Sequence, residues 1–124
     1  MAKILIVDSD QAMTTALAVR LRGAGYVVLC SHGCEAAATV ALRERPDLIV
    51  LDVDLPVFTG LEFHECLKVS GRSRDIPVIY LSANDSPASR LVALRQGAHH
   101  FITKPYDPPT LIAAIEDGLR TVAV

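Results

Sequence analysis

Short apolar runs alternate along the chain with longer stretches whose apolar residues recur every three to four positions, and the alternation repeats five times. A first strand is predicted over Lys3 to Val7 and a helix from about Gln11 to Arg22, with Met13, Leu17 and Leu21 on its core face. Gly23 and Gly25 end that helix. Tyr26 to Cys30 reads as a second strand and Cys34 to Arg43 as an alanine-rich helix. Pro46 closes the connection, and Asp47 to Leu51 is a third strand without polar alternation, as a strand buried on both faces must be. A loop containing Pro56 follows. Thr59 and Glu62 have the spacing of a capping box, which predicts a helix over Gly60 to Val69. Gly71 to Asp75 is a polar turn, and Pro77 opens a fourth strand that runs through Leu81. Ser86 and Pro87 are an N-cap and a first-turn proline for a helix ending near Gln96, where Gly97 stops it. His100 to Thr103 is the fifth strand. Asp107-Pro108-Pro109 starts a last helix with Leu111, Ile115, Leu119 and Val122 in one apolar stripe.

Strands alternating with helices favour a parallel sheet covered on both faces. With right-handed crossovers few arrangements remain, and the (βα)₅ flavodoxin-like order 2-1-3-4-5 fits best. That order makes strands one and three neighbours at the switch point, where open α/β sheets bind ligands. Asp8 and Asp52 end those two strands, and Ser82 and Lys104 end strands four and five. Two carboxylates, a hydroxyl and an ammonium therefore gather at one sheet edge. Such a pocket suits Mg²⁺, which takes one or two carboxylates and keeps several waters, and placement of a phosphoryl group on a carboxylate. Phosphoryl transfer asks chiefly for positioning and charge neutralisation. Taken singly each residue has a plainer reading: Asp8 or Asp10 as a helix cap, Ser82 as a turn residue, Lys104 as a solvated cation. Asp52 lacks that alternative, because the next helix signals begin only near Thr59.

The 124 residues suffice for one domain, 1–124, and half of them are hydrophobic, enough for a core. A net charge of −2 without any basic block argues against direct nucleic-acid binding. No apolar run is long enough for a membrane span or a signal peptide. Cys30, Cys34 and Cys66 are odd in number and lack C-x-x-C spacing, which suits free thiols in a reducing cytoplasm.

The chain resembles the receiver domains of bacterial two-component response regulators over essentially its whole length. The motifs are Ile4-Leu5-Ile6-Val7-Asp8, the run Pro46 to Pro56 with Gly60, Leu81-Ser82-Ala83, and Gly97-Ala98 leading to Phe101-Ile102-Thr103-Lys104-Pro105. The resemblance implies a cytoplasmic phosphoacceptor signalling domain, not an enzyme beyond slow self-catalysed phosphorylation and dephosphorylation. Asp52 would accept a phosphoryl group from a histidine kinase or a phosphotransfer protein. Asp8, Asp52 and the backbone carbonyl of Asp54 would hold Mg²⁺. Ser82 would hydrogen-bond the phosphoryl group, Lys104 would pair with Asp52 or its phosphoryl group, and Phe101 would be the aromatic switch. The Lys104-Pro105 bond is often cis in this family. An effector protein would bind the face of the fourth helix, fifth strand and last helix, including Arg90, Arg95, His99, Phe101 and Tyr106.

Departures from the family qualify this expectation. The second acid after strand one is replaced by Ser9, a weak neutral Mg²⁺ ligand. The Asp54 side chain is a candidate replacement, acting on the metal or a bridging water, and Asp10 is another through water. Val57 stands where a glycine is frequent, and Phe101 where tyrosine is commoner. His99 and His100 replace frequent acids. As neighbours on an extended segment they are expected to face opposite ways, which argues against a shared metal. His32 and His64 carry no specific signal. Two rival functions stay open. One is a degenerate receiver serving as a phosphorylation-independent interaction module. The other is a small aspartyl-phosphate phosphatase, because Asp52-Val53-Asp54 resembles the D-x-D of haloacid-dehalogenase-type phosphatases. The chain is either a stand-alone receiver or part of a longer protein.

Overall fold

A computed structural model describes residues 1–54, 60–69 and 75–122, with the backbone alone for Gly60, Thr121 and Val122. The elements run β1 (Lys3–Val7), α1 (Gln11–Gly23), β2 (Val27–Ser31), α2 (Cys34–Glu44), β3 (Leu48–Asp52), α3 (Gly60–Lys68), β4 (Val78–Ser82), α4 (Pro87–Gln96), β5 (His100–Thr103) and α5 (Pro108–Val122). The strands form one sheet in the order β2-β1-β3-β4-β5, and every pair is parallel. This is the predicted flavodoxin-like arrangement. The predicted Pro56 loop, Val57, the Thr59 cap, most of the Gly71–Asp75 turn and the Val122 side chain lie outside the described residues.

The two-residue period of the strands divides the core into two layers. Ile4, Ile6, Leu48, Val50, Ile79 and Leu81 face α1 and α5, where Leu17, Leu21, Leu111 and Ile115 meet them. Leu5, Val7, Ile49, Leu51 and Tyr80 face α2, α3 and α4, where Ala37, Ala41, Phe63, Leu67 and Ala93 meet them. β3 and β4 are buried along their whole length, which explains their unbroken apolar runs. The alanines of α2 let that helix sit close to the sheet.

Local chemistry sets the element ends. The Asp10 side chain caps α1 by accepting the Met13 N–H at 3.0 Å, and the Ser86 hydroxyl caps α4 by accepting the Ser89 N–H at 3.1 Å. Gly97 ends α4 at φ 83°, a left-handed conformation that glycine adopts without strain. β2 and β3 each begin one residue later than predicted. Tyr26 is drawn into the α1 turn by its N–H bond to the Leu21 carbonyl, and the Asp47 carboxylate is held by the Lys3 N–H. α2 ends on Arg45 at φ 50°, a left-handed arginine that no glycine or asparagine announced.

His64 of α3 is buried, with Nδ1 2.6 Å from the hydroxyl of buried Tyr80. Burial, assisted by Lys68 and opposed by Glu65, pushes its pKa down to about 4. An unfolded chain binds that proton near pH 6.5, so between pH 6.5 and 4 the unfolded state holds more protons and stability falls with acidification. The expected loss is on the order of 2–3 kcal/mol. Urea unfolding at pH 7 and pH 4.5, with an NMR titration of His64, checks it. An imidazole titrating near 6.5 in the folded protein would contradict this account.

Candidate functional site

The site is built where β1 and β3 end side by side. Asp8 follows β1 and is fully buried, and Asp52 is the last residue of β3 and is 5% exposed. The Asp8 N–H continues the ladder to the Ser31 carbonyl at 3.0 Å, the Asp8 carbonyl lies 3.0 Å from His32 Nδ1, and Asp8 Oδ1 accepts the Asp10 N–H at 2.9 Å. Asp52 Oδ1 accepts the Asp54 N–H at 2.8 Å. The other oxygens of both acids converge on one cation. Lys104 Nζ lies 2.9 Å from Asp8 Oδ2 and 3.1 Å from Asp52 Oδ2. The Lys104 N–H donates to the Ser82 carbonyl at 2.8 Å, and the Lys104-Pro105 peptide is cis. β5 thus delivers its lysine across the end of β4 to the acids.

The electrostatics follow from burial and crowding. Burial pushes the Asp52 carboxyl above its ordinary pKa, and the Asp8 charge adds to this; the Asp54 N–H and Lys104 oppose it without cancelling it. For Lys104 burial works against the charge, but its close contacts with the Asp8 and Asp52 carboxylates outweigh it and raise its pKa. Burial also raises Cys34 to about 11, with Asp52 and Glu62 adding, so this thiol stays protonated and unreactive.

Two buried carboxylates share one ammonium, which leaves the pocket anionic. Asp8 Oδ2 meets Lys104 as an ion pair without a well-aligned hydrogen bond, so a buried oxygen retains acceptor capacity. Hard oxygen donors with spare capacity fit a hard divalent cation such as Mg²⁺.

Asp54 is turned elsewhere. Its carboxylate accepts the Ser82 hydroxyl at 2.9 and 3.1 Å and the Ala83 N–H at 2.8 Å. The side chain considered above as a substitute metal ligand is therefore engaged by the donors at the end of β4. Ser9 is exposed, and Asp10 is spent on capping α1.

Phe101 is half-buried on β5, with the Arg90 guanidinium 5.0 Å from its ring centre. It borders a cavity of about 240 Å³ lined also by Asp54, Tyr80, Ser82, Val92 and Ala93. Arg90 and Arg95 are exposed on α4. Tyr106 lies apart from them, in a groove with Met13, Leu17 and Arg20 of α1. His99 and His100 do not point to opposite faces. Both Nε2 atoms reach the same Asp117 oxygen, at 3.0 and 3.2 Å. His99 precedes β5, so the alternation of a strand does not govern it. No sequence signal marked His32 behind Asp8, the Ala83 N–H or Asp117, because each contact spans more than 15 residues.

An open α/β sheet with paired acids at its switch point and a lysine bridging them defines the class of protein to which comparison can be made. The response regulator receiver domain model matches residues 4–116, and the chain belongs to that family, whose members signal in two-component systems. It is 38% identical over 117 residues to the phosphate regulon transcriptional regulatory protein PhoB of Pseudomonas aeruginosa, covering 94% of this chain and 51% of that protein. It is 36% identical over 118 residues to the alkaline phosphatase synthesis transcriptional regulatory protein PhoP of Bacillus subtilis, covering 95% and 48%. The chain spans about half the length of these curated relatives. The solved structure of the Vibrio cholerae chemotaxis protein CheY4 superposes with a TM-score of 0.90 at 30% identity, covering 96% of this chain and 99% of that one. No described helix is long and apolar enough to cross a membrane.

Proposed function

We propose that Asp52 accepts a phosphoryl group from a histidine kinase or a phosphotransfer protein and that the chain signals through a protein-interaction face, as a cytoplasmic phosphoacceptor domain and not a turnover enzyme. The observation that carries this reading is the shared lysine: Lys104 Nζ is 2.9 Å from Asp8 and 3.1 Å from Asp52. A cation held between two buried acids is placed to neutralise an anion arriving on one of them.

In the reaction an Asp52 oxygen attacks phosphorus, the phosphorus–nitrogen bond of the donor phosphohistidine breaks, and the imidazole leaves. Lys104 screens the repulsion between carboxylate and phosphoryl group and stays with the product. Asp8, Asp52 and the Asp54 backbone carbonyl would hold Mg²⁺, which supplies the remaining positive charge. Ser82 gives up the Asp54 carboxylate and donates to a phosphoryl oxygen. The cavity beside Phe101 and Ser82 offers the ring room to turn when Ser82 moves. The signal passes to an effector over α4, β5 and α5, where Arg90, Arg95, His99 and Phe101 lie. Phosphorylation biases a two-state equilibrium.

Ser9 and the engaged Asp54 favour a second reading, a degenerate receiver that binds partners without phosphate. The phosphatase reading has little beyond Asp52-Val53-Asp54 in its favour, and it leaves Asp8 unexplained. Intact mass and phosphate release after incubation with Mg²⁺ and acetyl phosphate separate the three. One stable adduct, lost in Asp52→Asn, supports the phosphoacceptor. No adduct at high Mg²⁺ supports the interaction module, and rapid turnover without an adduct supports the phosphatase.

Ser9→Asp is expected to tighten Mg²⁺ binding by about tenfold or more, because a carboxylate replaces a neutral hydroxyl beside the pocket. Calorimetric titration of both proteins with Mg²⁺ measures it, and equal affinities would count against Ser9 as the weak point of the site.

A further inference from the structure

A second cluster of ligand-type side chains lies away from the acid pocket. His99 and His100, at the start of edge strand β5, and Asp117 of α5 bring Nε2, Nε2 and a carboxylate oxygen within 4.8 Å of one another. His100 pairs with Ile79, three register steps before the Ser82–Thr103 pair, so the cluster stands roughly 10 Å along the strand from the lysine end. We infer that His99, His100 and Asp117 form a surface site for a divalent transition-metal ion of borderline softness, Zn²⁺, with water completing its coordination.

The geometry is close to what such an ion requires. With ligand distances of about 2.0–2.2 Å, the edges of a zinc tetrahedron are roughly 3.4 Å. Two edges of the cluster already measure 3.0 and 3.2 Å. The His99 side chain is 21% exposed and fixed, whereas that of His100 is 41% exposed and can turn to close the third edge. Without metal the Asp117 oxygen accepts both Nε2–H groups. Binding requires both Nε2 lone pairs to face the ion, with the imidazole proton on Nδ1.

The surroundings support the three ligands. The His99 N–H is anchored to the Val78 carbonyl at 2.8 Å, which fixes the start of β5. The other Asp117 oxygen is 3.4 Å from the Arg120 guanidinium, which orients the carboxylate. His99 and His100 meet the same Asp117 oxygen at 3.0 and 3.2 Å, so all three ligand atoms already converge on one point. Gly118 supplies the decisive space. A Cβ there would stand 2.6 Å from Leu48 Cδ1 and 3.3 Å from His99 Cδ2. A mid-helix glycine lowers helix stability relative to alanine, and here its bare surface lets α5 approach the imidazole closely enough for Asp117 to reach both rings. Two imidazoles and one carboxylate with open positions select Zn²⁺ and its neighbours over Mg²⁺, which prefers all-oxygen ligands.

The test uses the whole chain, stripped of metal by a chelator and held in excess Mg²⁺ so that the acid pocket is occupied. Zn²⁺ is titrated against a competing chromogenic chelator, and Co²⁺ is used for absorption spectra. The expected result is one saturable Zn²⁺ per chain, weakened about tenfold or more by His100→Gln and by Asp117→Asn. It is unchanged in Asp52→Asn and in the Cys30→Ser, Cys66→Ser double variant, and the Co²⁺ spectrum lacks thiolate charge-transfer bands. Circular dichroism confirms that the variants fold, and His99→Gln provides a further ligand deletion. The inference is overturned by no saturable uptake, by uptake indifferent to the histidine substitutions, or by uptake lost with Asp52 or the cysteines. Because no readout involves phosphorylation, failure here leaves the phosphoacceptor reading untouched, and the reverse also holds.

Discussion

Asp52→Asn is expected to end adduct formation completely and, at the same time, to make the folded chain more stable. The first effect follows because an amide is no nucleophile toward phosphorus under these conditions. The second follows from the pocket. Asp52 is buried beside Asp8, and its pKa is raised chiefly by that burial. The folded state therefore holds this proton more tightly than the unfolded state, so ionising Asp52 destabilises the fold. That penalty is absent in acid, sets in as pH rises above the ordinary carboxylate pKa, and is complete once pH exceeds the raised one. An asparagine removes it. Its carbonyl can still accept the Asp54 N–H, and Lys104 keeps Asp8 at 2.9 Å. A gain on the order of 1 kcal/mol is expected without Mg²⁺, as relief of like charges at an intermediate effective dielectric. Intact mass after acetyl phosphate treatment and urea midpoints at pH 7 read the two effects. A persisting adduct would move the acceptor to another residue, and a lower midpoint would show that Asp52 stabilises the pocket instead of straining it.

Lys104→Met is expected to do the opposite to stability and by a larger amount. One ammonium serves two buried acids, and methionine replaces its stem but not its charge. Removing one partner of a buried ion pair typically costs about 3–5 kcal/mol. The Lys104 side chain is 21% exposed, so water softens the loss and the lower end, about 3 kcal/mol, is expected. Saturating Mg²⁺ should restore part of it, since a ligand at about 100 times its Kd stabilises by about 2.7 kcal/mol. Adding Asp52→Asn should restore part as well, because the two substitutions share one contact and are not additive. Denaturant melts of the four combinations, with and without Mg²⁺, test this. A single variant within 1 kcal/mol of the parent would mean that the lysine is not what holds these acids in the interior.

Much of this was legible before any coordinates, for identifiable reasons. The runs at β3 and β4 are buried on both faces, and that burial is written in their composition. Crossover handedness left few strand orders, and the best-fitting one put Asp8 beside Asp52 without reference to what either residue does. Ser86 announced its cap through the proline that follows it, whereas for Asp10 a cap was one of two open readings. What stayed hidden depends on the rotamers of residues far apart in the chain. The Asp54 carboxylate turns to Ser82 and Ala83, 28 and 29 positions away. His64 reaches Tyr80 across the α3–β4 layer. The rule that neighbours alternate misplaced His99, because it applies inside a strand and His99 stands just before one. The family resemblance placed Tyr106 on one face with Phe101, yet the turn after β5 carries it to the side of the sheet that α1 covers.

The hydrogen bonds that Asp54 accepts from Ser82 and Ala83 have a further meaning under the proposed function. An incoming phosphate finds the Ser82 hydroxyl and the Ala83 N–H already satisfied by an anion the chain carries in its own sequence. The drive toward the signalling conformation is then the difference between two negative guests for one seat, not the full strength of either, since a ligand shifts an equilibrium only by its differential interaction. Under that function the Asp54 carboxylate must be displaced before Ser82 can turn to a phosphoryl oxygen, and the cost of displacing it is subtracted from what the phosphoryl group supplies.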